Sequence, residues 1–163
     1  MVLVVADRAE PRRALERVDW SLLVFFVSLF IVVAALGKTG LPEQAWRAAA
    51  PWMGLRDPGG ITAFSALLVV GSNLFSNVPM VLLTGPHLTE LGDPSRGWVL
   101  LAFVTTIAGN LTLIGSVANI IVAEQAKQHY TLGFFEYLRF GAVSTLLVLC
   151  AGIPLICLGT GSP

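Results

Sequence analysis

The chain is 163 residues long, 55% hydrophobic and 12% charged, with a formal net charge of zero and a mean hydropathy of +0.78. A soluble domain carries about 25% charged residues, so half that charge leaves too little polar surface to coat a particle in water. There is no basic patch for nucleic acid, and no metal constellation, nucleophile elbow or phosphate loop, so neither a nucleic-acid partner nor an enzyme is expected.

The charges cluster and leave four uncharged stretches, at 20–37, 58–89, 97–123 and 140–163, with His87 the only titratable ring inside them. An apolar run of about 18 residues is long enough to cross the hydrocarbon core as a helix. The composition therefore predicts an all-α integral membrane protein whose partner is the lipid bilayer.

In chain order, residues 1–19 are polar and mixed in charge, and are expected to be cytoplasmic. The run Trp20–Leu36 follows and is the first span, 20–37. It is too long for a signal-peptide core, and Glu16 and Asp19 interrupt the basic residues before it. Gly37, Gly40 and Pro42 end the span. Residues 42–54 carry Trp46 and Trp52 and are expected to lie in the membrane interface, where an indole finds both an apolar and a polar neighbour.

Residues 61–91 then predict a re-entrant hairpin. About 15 residues from Ile61 to Phe75 reach only ~22 Å as a helix. Pro79 lacks an N–H and keeps Val78 from helical angles, so one helix stops near Phe75 and a short second one starts near Val78, with Ser76 or Asn77 as its cap. Residues 97–126 predict a helix broken in mid-membrane at Gly109-Asn110-Leu111-Thr112. Gly and Asn are expected to end one helix through left-handed angles, and Thr112 to cap the next. The last span is 140–158, mildly interrupted at Gly152 and Pro154. The membrane domain as a whole is 20–158.

The lysines and arginines set the orientation. With 1–19 inside, the inner side holds Arg8, Arg12, Arg13, Arg17, Lys127 and Arg139, against Lys38, Arg47, Arg56 and Arg96 outside. Glu124 and Lys127 read as an interfacial pair, and His87 as an interfacial ring. Cys150 and Cys157 stand two helical turns apart, too far to bridge within one helix.

Irregular backbone in hydrocarbon costs several kcal/mol per unpaired group, so two breaks in a short chain imply a use. A helix start offers N–H groups and the positive end of a dipole to an anion, and unwound carbonyls and amide oxygens can replace water around a small cation. Asn73, off the tip, is expected to matter much less than Asn77 and Asn110.

Ser-Asn-Val-Pro at 76–79, then Gly-Asn-Leu-Thr-Leu-Ile-Gly-Ser-Val-Ala-Asn at 109–119, resemble the ion transporter superfamily. That group includes arsenical-pump membrane proteins, citrate transporters, sodium/dicarboxylate symporters and one type of sodium/proton antiporter. The resemblance is strongest to its arsenical-pump and citrate-transporter-like anion permeases, and covers about residues 18–158, including the opening Val18-Asp19-Trp20-Ser21. It implies two inverted repeats, each giving a hairpin and a broken helix with substrate between the tips. Only one such set is present, so the chain resembles the second, carboxy-terminal repeat. It is then a fragment, or needs a separately encoded first half or an opposed copy of itself.

Carried over by position, the resemblance assigns substrate or ion binding to Ser76, Asn77, Val78 and Pro79 at the hairpin tip. In the broken helix it assigns the same role to Gly109, Asn110, Thr112, Ser116 and Asn119. The implied cargo is a small anion, with no cofactor beyond a coupling sodium ion or proton, in a multi-pass protein of the cell membrane. Two other readings stand beside it: half of a sodium/proton antiporter, and a non-transporting membrane subunit or remnant. The absence of Asp and Glu from 58–89 and 97–123 disfavours the antiporter.

Overall fold

A computed structural model describes residues 20–127 and 129–160. The described residues form helices and turns without a strand. Contacts divide the chain into two compact units, residues 1–35 and 36–163. Helix α1 (Trp20–Lys38) is apolar all round; in the first unit Leu23, Val24, Val27, Ile31 and Val32 are exposed, as suits a lipid-facing helix. The expected cytoplasmic segment 1–19 lies outside the described residues.

The second unit holds the rest. Thr39 accepts a hydrogen bond from the backbone N–H of Leu41, and Gly40 turns the chain with φ of 71°, into α2 (Leu41–Ala49). A 3-10 turn, Ala50–Trp52, follows. Helix α3 (Pro58–Phe75) starts three residues before the expected Ile61. The Asp57 side chain accepts from the Gly60 N–H at 2.7 Å and Pro58 sits in the first turn, so the helix start is set before Ile61. At 18 residues α3 is about 27 Å long, long enough by length and composition to cross a membrane.

Helix α4 (Asn77–Thr84) folds back against α3, and Gly71 leaves the space that Met80 fills. Beyond Thr84 the second arm tightens into a 3-10 stretch, Gly85–Leu91, where Gly85 and Pro86 weaken the α-helix. Asp93 and Pro94 then start α5 (Pro94–Ala108) as Asp57 and Pro58 start α3. After the break come a 3-10 turn, Leu113–Gly115, and α6 (Val117–Ala126). Helix α7 (Phe134–Gly159) begins before the expected 140 and runs continuously through Gly152 and Pro154.

The core is the face shared by α3 and α5. Phe64 and Leu68 pack with Leu100, Leu101 and Val104, all at most 1% exposed, and Met53, Leu55, Leu88 and Leu91 close the cluster. Their spacing of three and four residues is the stripe that a helix buries. Beyond that stripe α7 leaves Phe140, Val143, Leu146, Leu147, Leu155 and Leu158 exposed, which water would not tolerate and lipid does. Besides α3, α7 is long and apolar enough to cross a membrane, and up to three spans are present if the bent stretch from Leu23 to Trp52 counts as one.

Candidate functional site

The first interruption is a single residue. Ser76 joins α3 to α4 with φ of 75° and ψ of 157°, and is the one residue other than glycine with positive φ among the described residues. This region of backbone space suits glycine and costs another residue of order 1–3 kcal/mol. Ser76 occupies the cap position of α4 but makes no capping bond, contrary to expectation. Its hydroxyl reaches Asn77 Oδ1 at 3.4 Å instead. Pro79 is buried in the first turn of α4, where a missing N–H is harmless. Asn77 and Val78 are half-buried and, with Trp98, Leu101, Thr105 and Thr106, line a cleft of about 290 Å³ between α4 and α5. Both threonine hydroxyls donate to carbonyls of their own helix. Among the described residues the Asn77 amide nitrogen donates to no protein acceptor.

The second interruption is longer. Helix α5 ends at Ala108, and the segment from Gly109 to Ser116 carries only a 3-10 turn before α6. Gly109 stays at right-handed angles, φ of −58°, which corrects the expectation that glycine and asparagine would turn left here. Space at Gly109 is tight: a Cβ would stand 3.1 Å from Ser116 Cβ and 3.3 Å from the Thr106 carbonyl. Thr112 does not cap α6 either. Its hydroxyl donates to Asn73 Oδ1 at 2.8 Å, and the cap position of α6 falls to Ser116, which makes no side-chain bond there.

Asn73 lies off the tip, as expected, but its side chain is bonded on three sides. Its amide nitrogen donates to the Val69 carbonyl at 2.9 Å and the Ala108 carbonyl at 3.0 Å, while its oxygen accepts from Thr112. Asn119 makes the matching tie from α6, donating to the Gly109 carbonyl at 2.7 Å and approaching the Thr112 carbonyl at 3.5 Å. Two side-chain amides thus satisfy the carbonyls left at the end of α5. Gly115 makes room, since a Cβ there would stand 2.6 Å from Asn73 Oδ1. From α7, Gly141 lies against the Asn110 and Leu111 carbonyls, and Thr145 donates to the Ile107 carbonyl at 3.4 Å.

The structure therefore gathers Gly109, Thr112, Ser116 and Asn119 into one knot with Asn73. Asn110 stands apart, its side chain exposed and, among the described residues, without a hydrogen-bond partner. No hydrogen bond among the described residues joins Ser76, Asn77, Val78 or Pro79 to the knot; the link is Asn73, one turn earlier on α3. The signal for Asn73 was legible: Asn at 73 and 77 lie one turn apart on the chain, and an amide is the side chain that both donates and accepts. Next to it the Ser72 hydroxyl is fully buried and, among the described residues, without a partner.

Away from the breaks, His87 stacks on Trp46 with ring centroids 4.8 Å apart and lies 3.0 Å from Glu90 and 3.5 Å from Glu43. The Trp46 N–H donates to Glu90 at 2.8 Å. His87 and Trp46 together hold the Glu90 carboxyl below its ordinary range. Glu124 pairs with Lys127, and both cysteines are free.

A profile of the citrate transporter family matches residues 1–108, from the start of the chain to the end of α5. The transporter arsB of Dictyostelium discoideum is 42% identical over 161 residues, 96% of this chain and 28% of that protein. The silicon efflux transporter LSI3 of rice, Oryza sativa subsp. japonica, is 43% identical over 166 residues, 96% of this chain and 34% of its own length. The human P protein is 33% identical over 153 residues, 86% of this chain and 18% of that protein. The chain thus spans about a third or less of these relatives. No solved structure matches it. With apolar helices of spanning length and a family match across residues 1–108, well over half of its length, the chain is a multi-pass membrane protein of the citrate transporter family.

Proposed function

We propose that the chain is the carboxy-terminal half of a secondary active transporter that carries a small inorganic or organic anion across the cell membrane. The observation that carries the reading is a pair of amides beside the two helix interruptions: among the described residues the Asn77 amide nitrogen and the Asn110 side chain have no hydrogen-bond partner. An amide N–H and the start of a helix favour an anion, and an amide or hydroxyl oxygen favours its coupling cation. The unpaired Ser72 hydroxyl, one turn from Ser76, adds an oxygen for a sodium ion. Ser76, Val78 and Pro79 shape the tip, while Gly109, Thr112, Ser116 and Asn119 shape the break. A first-half repeat, or an opposed second copy, supplies the facing surface. The arginines of 1–19 lie on the inner side.

The test is an exchange. The matching stretch of the rice silicon efflux transporter is replaced by this chain, and uptake of citrate, arsenite and silicic acid is measured in proteoliposomes. Uptake of at least one solute, absent when the chain alone is reconstituted, is expected. A correctly inserted hybrid that moves none of them contradicts the proposal.

A further inference from the structure

We infer that Asn73 is a positioning residue that sets the helix break against the hairpin tip. Three observations carry this. Its side chain uses both amide protons and its oxygen at once: Val69 on its own helix, Ala108 at the end of α5, and Thr112 beyond the break. Among the described residues the Thr112 hydroxyl donates to Asn73, a direct side-chain tie from α3 to the segment after Ala108. Gly115 keeps that geometry open, because a Cβ would collide with Asn73 Oδ1.

No other side chain does the same. Asp has no proton to give the two carbonyls, Leu has the shape without the polarity, and Gln carries its amide one methylene too far. Asn73 stands one helical turn before Asn77, with the strained Ser76 between them, so a shift of the segment at 109–112 is passed to the end of α3 through a short rigid lever. Asn73 thus acts on cargo through the position of Asn77 and Asn110, a role that presupposes the transport reading; its positioning of the break does not.

Amide hydrogen exchange of the chain in lipid nanodiscs tests the positioning directly. Asn73→Ala and Thr112→Val should each speed exchange over residues 110–116 by about tenfold, the size expected for losing a hydrogen bond or two. The double variant should add little to Asn73→Ala, and Thr112→Ser, which keeps the hydroxyl, should match the unaltered chain. In the rice hybrid, Asn73→Ala should raise the half-saturating solute concentration by roughly fivefold while the maximal rate per inserted molecule changes much less. Thr112→Val should raise it similarly, with Thr112→Ser restoring it. Additive effects in the double variant, Thr112→Ser as damaging as Thr112→Val, or a lowered rate at unchanged affinity would overturn the assignment. An unaltered hybrid that moves no solute defeats the transport reading instead, and exchange alone then decides whether Asn73 positions the break.

Discussion

At the hairpin tip the chain turns on one strained residue, Ser76, with a single long side-chain contact beside it. At the helix break the chain leaves the α-helix from Gly109 to Ser116, and side chains from α3 and α6 tie it at Ala108, Gly109 and Thr112. The first interruption stores strain and, among the described residues, leaves the Asn77 amide nitrogen without an acceptor; at the second the Asn73 and Asn119 amides are spent on backbone carbonyls and the Asn110 side chain is exposed. A short turn can be held by the helices on either side, whereas a long unwound segment in lipid must pair its carbonyls locally, because each unpaired group costs several kcal/mol. Rigidity at the break and strain at the tip are therefore two routes to the same end, a fixed amide facing out of the helices.

The largest effect should come from crowding the break. A Cβ on Gly141 would stand 2.3 Å from the Asn110 carbonyl and 2.7 Å from the Leu111 carbonyl, both backbone atoms that cannot swing away. Gly141→Leu should cost more than the ~1–3 kcal/mol of ordinary overpacking, measured as a lower thermal midpoint and less inserted protein. The same change at Gly37, where a Cβ meets nothing within 4 Å, should be nearly silent.

A smaller effect of opposite sign should appear at the tip. Ser76→Gly removes a side chain from a backbone region that suits glycine, and should stabilise the folded chain by up to ~1 kcal/mol after the added freedom of the unfolded chain is set against it. A raised thermal midpoint is expected, together with weaker solute affinity as the tip loses its constraint. Destabilisation would mean that the Ser76 hydroxyl matters more than its φ.

The smallest effect lies outside both interruptions. Glu90 has its carboxyl held below the ordinary value by His87 and Trp46. A depressed carboxylate stabilises the fold above its unfolded pKa of about 4.3, and that contribution is lost as the pH falls through the lower folded value. Glu90→Gln should flatten the acid limb of the stability curve below that pH and leave neutral pH nearly unchanged. An identical acid limb in the variant would show that another group is responsible.

The helices were legible because their signals are local. The uncharged runs marked the apolar stretches, and Pro79 and Gly109 marked the interruptions. Asp57 and Asp93, each followed by proline, could have set the starts of α3 and α5 and were not used. What stayed hidden was tertiary. Thr112 reads as a cap from its neighbours in sequence, but Asn73, 39 residues away, claims its hydroxyl. Gly109 reads as a left-handed turn, yet it keeps right-handed angles, and a Cβ there would press on Ser116 across the break. Asn73 itself was set aside because it lies off the tip, and only the packing of α3 on α5 shows that it reaches Ala108.

The central claim is that the free amides at the two interruptions hold the cargo. The direct measurement is half-saturating solute and sodium concentration for Asn77→Ala and Asn110→Ala in the rice hybrid, normalised to inserted protein, with exposed Gln125→Ala on α6 as the control. Loss of a neutral hydrogen bond of ~0.5–1.5 kcal/mol should weaken affinity by roughly three- to tenfold in each asparagine variant and leave the glutamine variant unchanged. Unaltered affinity for both solute and sodium in Asn77→Ala and Asn110→Ala would contradict the account.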